Sequence, residues 1–100
     1  KMIELMKASQ LANPAEVQAL INQMNLYPDI SLETLILQAG YVTELQMNSL
    51  KLAEYLLSQG KISMGQFSVA MYDECTTGIR MAESLQVRGW LETETRGYNK

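Results

Sequence analysis

Apolar residues recur along this chain at spacings of three and four, and three glycines interrupt them inside the same local phrase. The phrase reads Leu35-Ile36-Leu37-Gln38-Ala39-Gly40-Tyr41-Val42-Thr43, then Leu56-Leu57-Ser58-Gln59-Gly60-Lys61-Ile62-Ser63, then Leu85-Gln86-Val87-Arg88-Gly89-Trp90-Leu91. Spacing of three and four marks the buried stripe of a helix. A glycine closing such a stripe supplies the left-handed residue that helix C-termini favour. Two positions after each glycine stands an apolar residue, and after Gly40 and Gly60 a capping box follows at once. Thr43 with Gln46 and Ser63 with Gln66 carry the hydroxyl and amide that satisfy each other's orphan backbone N–H groups.

The pattern predicts helices over Met2 to Ser9, Pro14 to about Asn25, Ser31 (as cap) to Ala39, Thr43 to Gly60, Met64 to about Cys75, and Ile79 to Val87. Asn13-Pro14 caps the second, with proline at the first helical position, where its missing N–H does no harm. Its expected core stripe is Val17, Leu20, Ile21 and Met24. The long central helix is expected to bury Leu45, Leu50, Ala53, Leu56 and Leu57, and the next one Phe67, Ala70 and Met71. No segment alternates with a period of two, so strands are not required. The fold expectation is all-α: a compact orthogonal bundle of about six helices built from repeated helix-Gly-helix units.

Residues 1–91 read as one helical domain, with 31–91 the repeated region and 1–30 a worn copy in which Ser9 replaces glycine and the cap slips by one. At the third phrase Glu92 takes the place of Thr43 and Ser63, and 92–100 reads as a polar, frayed tail. The start at Lys1 rather than Met suggests a piece of a longer protein.

A length of 100 residues with 47% apolar content suits one core without staples. The net charge of −3, with lysines and arginines scattered, leaves no footprint for a nucleic-acid polymer or an anionic membrane. Cys75 is the single cysteine, which excludes an intrachain disulfide, and no apolar run is long enough to span a bilayer. A cytoplasmic setting is the default expectation. With no histidine, no phosphate loop and no metal-ligand spacing, no catalytic residue and no metal site is expected. Asp73 and Glu74 point to different helix faces and read as surface charge, and Arg80 as a solvated side chain. Cys75 has no histidine to activate it.

Two stretches, Lys51-Leu52-Ala53-Glu54-Tyr55-Leu56-Leu57-Ser58-Gln59-Gly60 and Arg80-Met81-Ala82-Glu83-Ser84-Leu85-Gln86-Val87-Arg88-Gly89, resemble the N-terminal domain of type II secretion and type IV pilus assembly ATPases. That family's motif reads Arg-Leu-Gly, two residues, Leu, three residues, Gly, two apolar residues, then a helix. The two starts lie 29 positions apart (80 − 51), as the paired motifs of its cyclic-di-GMP-binding members do, and Ser31-Leu32-Glu33 opens an earlier version. The resemblance implies a helical regulatory module with Lys51 and Arg80 facing guanine or phosphate, Leu52, Leu56, Met81 and Leu85 as apolar floors, and Gly60 and Gly89 as turns. Ala53 and Ala82 stand where the family has glycine, Lys51 where it has arginine, and Glu74 where it has glutamine. A Cβ narrows the ligand's approach, a lysine lacks the planar fork, and a carboxylate repels phosphate.

The preferred functional expectation is a non-enzymatic regulatory or protein-interaction module of a larger bacterial signalling or secretion-related protein, needing no cofactor. Its partner would be another protein or a domain of the parent chain, met through exposed Trp90, Tyr41 and Tyr72, and a homodimer is compatible with stacked helical units. The alternative is a cyclic-di-GMP sensor. It requires Lys51, Arg80 and the turns at Gly60 and Gly89 to converge on one groove.

Overall fold

The computed structural model of the chain describes residues 2–91. Six helices follow one another: α1 (Met2–Ala8), α2 (Pro14–Leu26), α3 (Leu32–Ala39), α4 (Glu44–Ser58), α5 (Met64–Thr77) and α6 (Met81–Val87). No strand occurs among the described residues. The frayed-tail expectation and the Glu92 cap lie outside them.

Most of the predicted stops and starts have their expected cause. Gly40, Gly60 and Gly89 have φ of 79°, 71° and 77°, and their N–H groups donate to the carbonyls of Leu37, Leu57 and Gln86, three residues back. The next residue often closes the cap further: Lys61 N–H donates to Leu56 O at 2.9 Å and Trp90 N–H to Leu85 O at 2.9 Å. This wider bond satisfies a second orphan carbonyl of the ending helix. Capping boxes start α2 (Asn13 with Glu16), α4 (Thr43 with Gln46) and α5 (Ser63 with Gln66).

The N-terminal copy is better preserved than its letters suggest. The left-handed residue is Gln10, at φ 61°, not Ser9, and Leu11 N–H donates to Met6 O at 3.0 Å as Lys61 and Trp90 do to their own helices. Counted from Gln10, the cap Asn13 stands three residues on, as Thr43 does from Gly40 and Ser63 from Gly60, so nothing slips. Position by position, Met6, Ile36, Leu56 and Leu85 are buried four residues before the turn; Ala12, Val42 and Ile62 are buried two after it. Val17, Met47 and Phe67 follow seven after it, also buried. The unit thus buries the same three positions each time it is written in full.

Around Phe67, Met71, Leu50 and Ile36 the core draws on every helix. Burying side chains of this size contributes roughly 1.5–3 kcal/mol each. Two expected stripes shift. Met47, not Leu45, takes the first core position of α4, because at 100° per residue Met47 lies beside Leu50 and Leu45 lies well to one side. In α2, Val17 and Leu20 are buried, while Met24 is exposed because the helix runs past the edge of the core.

The last helix begins two residues later than its pattern predicts. Gly78 (φ 84°) ends α5, Ile79 and Arg80 cross over, and Arg80 stands at the N-cap without bonding a backbone N–H through its own side chain. The cap comes from elsewhere in the fold.

Candidate functional site

Glu74, in the last turns of α5, is buried, and its Oε1 accepts from the Ser49 hydroxyl of α4 at 2.6 Å and from the Met81 N–H at 2.7 Å. It is therefore the N-terminal cap that α6 lacks, supplied from a neighbouring helix. Arg80 brings its Nε to 3.8 Å from the same oxygen and directs Nη2 toward Leu45 O and Ser49 Oγ, each at 3.4 Å. One carboxylate thus ties three helices together. The adjacent Asp73 accepts from Ser84 Oγ and, at 2.8 and 3.1 Å, from Nη2 and Nε of Arg88. The Ser84 hydroxyl first, then the Arg88 guanidinium, hold its carboxyl below the usual range. The expectation that both residues are surface charge is corrected. A Ser or Thr at position 80 would have made a local cap legible; with arginine there, the sequence carries no signal that a carboxylate six residues earlier does the work.

Lys51 and Arg80, the two cations of the ligand reading, take separate carboxylates. Lys51 Nζ pairs with Glu33 Oε1 of α3 at 3.3 Å, and both side chains are largely exposed. On α4, Lys51 lies about 160° from Ser49 at 100° per residue, so it faces away from the Arg80 side. Arg80 and Leu52 share a groove: with Asn48, Ser49, Ala82, Glu83 and Gln86 they line an open depression of about 630 Å³ between α4 and α6. Neither Lys51 nor the turns at Gly60 and Gly89 line it. Leu56, Met81 and Leu85, expected as apolar floors, are core residues. Glu83 adds a carboxylate to the groove wall. Beside the turns at Gly60 and Gly89, an added Cβ would meet nothing within 4 Å, so these positions face open space.

The three expected interaction residues also divide. Trp90 is half-buried against the core, with the Arg88 guanidinium 5.3 Å from its ring centroid, and Tyr41 is half-buried against the core as well. Both pack there because the residue after the left-handed turn is folded back over the helix just ended, a consequence of the reversal that the letters alone do not show. Tyr72 is 66% exposed, on the outer face of α5. Pattern reading passed over a larger exposed apolar group, at the corner from α2 to α3. There Leu26 is 70% exposed and Tyr27 50%, with Met24 and Ile30 beside them. The signal was present in the run Leu26-Tyr27-Pro28-Asp29-Ile30: apolar letters at and just beyond the end of α2, where Pro28 keeps the helix from continuing.

Cys75 is exposed, and Gln46 Nε2 approaches its sulfur at 3.7 Å. Desolvation of the sulfur, then the Glu74 charge, push the thiol up, which keeps it protonated and weakly nucleophilic. Among the described residues no three metal-binding side chains cluster, and no helix is long and apolar enough to cross a membrane. No family model, no curated protein and no solved structure matches this chain.

Proposed function

We propose that this chain is a non-enzymatic regulatory or protein-interaction module of a larger bacterial signalling or secretion-related protein. The observation that carries the reading is the α2–α3 corner, where Met24, Leu26, Tyr27 and Ile30 stand exposed within seven consecutive residues (24 to 30). Exposed large apolar groups set side by side mark contact surfaces, and aromatic members carry much of the binding energy. The carboxylates that look most like chemistry, Asp73 and Glu74, are engaged in holding α6. A photo-crosslinking residue at position 26 or 27 is expected to capture one discrete partner in the parent cells, while the same residue at the exposed position 76 captures none. A second copy of this chain as that partner is distinguished by the adduct mass. Equal, scattered adducts from all three positions would refute the corner as a surface for recognition.

The cyclic-di-GMP reading keeps one point in its favour, that Arg80, Leu52 and Ala82 line the same α4–α6 groove. Calorimetric titration with the nucleotide decides between the two. Binding in the micromolar range that disappears in Arg80→Ala would replace the interaction reading; absence of heat leaves it standing.

A further inference from the structure

A second groove, of about 250 Å³, opens on another side of the bundle between α1, α4 and the start of α5. Leu5, Leu57 and Met64 give it apolar lining; Glu4, Glu54 and Ser58 give it polar lining. The two carboxylates are repeat equivalents, each six residues ahead of a left-handed turn (10 − 4 and 60 − 54), so the stacking of α1 on α4 sets like charges around one depression. Among the described residues neither has a basic side chain within 4 Å, whereas Glu33, Asp73 and Glu74 each do. The Ser58 hydroxyl donates to Tyr55 O at 2.7 Å, leaving its lone pairs as one more acceptor in the polar lining. Among the described residues no basic side chain lines the groove. Like charges placed together destabilise a fold, and a cation between them relieves that cost. The volume lies below the ~300–1,000 Å³ typical of small-molecule pockets, and so suits one or two side chains of a larger partner.

The geometry points to this groove as a docking site for a basic amphipathic helix of a partner protein, one long apolar side chain entering between Leu5, Leu57 and Met64 while Lys or Arg residues a turn away on either side meet Glu4 and Glu54. Helical spacing of three or four residues places such a triplet on one face, as the groove demands. This inference rests on the interaction reading and adds the partner's chemistry to it.

The test uses the ¹⁵N- and methyl-labelled chain and two synthetic helical peptides, Ala-rich and alike except that one carries Lys on both sides of a central Leu and the other Glu. The Lys peptide is expected to shift the Leu5, Leu57 and Met64 signals and to bind about tenfold more weakly when Glu4→Gln and Glu54→Gln are combined. Combining Glu33→Gln with Glu44→Gln, an equal change of net charge away from both the groove and the corner, leaves its affinity unchanged. Equal binding of the Glu peptide, equal binding to the Glu4→Gln/Glu54→Gln variant, or no shift at the groove overturns the proposal. Shifts confined to 24–30 overturn the groove alone and leave the interaction reading intact; Arg80-dependent binding of cyclic di-GMP removes the reading itself.

Discussion

The α2–α3 and α5–α6 arms occupy the same place in the repeat, yet they close differently. Each begins at a capping box three residues after a left-handed turn and ends nine residues after the cap of its second helix, Ser31 to Gly40 and Arg80 to Gly89. In the first arm the second helix carries its own cap, Ser31 accepting from the Thr34 N–H at 3.1 Å, and among the described residues no side-chain hydrogen bond or ion pair joins α2 to α3. In the second, Glu74 and Asp73 of α5 bind the start and the end of α6. Local capping leaves an arm free to expose its corner, whereas capping from across the fold locks the arm down. The first arm accordingly gathers its exposed apolar side chains at the corner (Met24, Leu26, Tyr27 and Ile30), whereas the second spreads its own along its helices (Met64, Val69, Tyr72 and Val87).

Breaking the lock should have the largest effect. Glu74→Ala leaves the Met81 N–H and the Ser49 hydroxyl without an acceptor in a buried setting, which costs roughly 2–3 kcal/mol in urea unfolding. Glu74→Gln keeps an acceptor and should lose less. If Glu74→Ala is as stable as the unaltered chain, α6 is not capped from α5 and the contrast between the arms disappears.

Next in size are changes at the turns themselves. Gly60→Ala meets no atom within 4 Å, so its cost is that of a left-handed Cβ residue, about 1 kcal/mol. Gln10→Gly runs the other way: relief of a non-glycine residue at φ 61° should raise the melting temperature, the gain staying under about 1 kcal/mol because glycine also loosens the unfolded chain. Opposite signs at equivalent turns would establish that the N-terminal unit is a true copy.

A smaller and pH-dependent loss is expected from Asp73→Asn. Since the folded carboxyl is held below its unfolded value of about 3.9, its contribution is fully present above pH ~4 and is lost as pH falls through the folded value. The stability difference between Asp73→Asn and the unaltered chain should therefore shrink in acid below pH 4; a difference that does not change between pH 7 and 3 would show that the Ser84 and Arg88 contacts contribute nothing through charge.

Least affected should be Leu26→Ser, within about 0.5 kcal/mol, because an exposed side chain gives up little on removal. A loss of several times that size would mean the corner is packed in solution, and the two arms would then be alike.

Much of the fold is written locally, which is why it is legible. Gly40, Gly60 and Gly89 need a left-handed backbone, and Thr43-Gln46 and Ser63-Gln66 need only their own turn of helix. The copy around Gln10 was harder to place because a glutamine there carries no mark of its conformation; the register of Ala12, Asn13 and Val17 against their counterparts reveals it. Leu45 and Met47 both satisfied a loose apolar stripe on α4, and packing against the rest of the core selected one of them. Of the expected interaction residues, Tyr72 is exposed while Trp90 and Tyr41 are half-buried against the core, since a residue after a reversal can turn either way until the neighbouring helix is in position.

The chain's letters by themselves determined that it is helical, where most of its helices start and stop, and which positions repeat, because caps, glycine turns and amphipathic stripes act over a few residues. Tertiary structure alone decided that Glu74 caps a helix not its own, that Lys51 and Arg80 take different carboxylates, and that Glu4 and Glu54 share a groove. Those relations join residues from different helices, and their geometry exists only once the rods have packed; no local spacing encodes it.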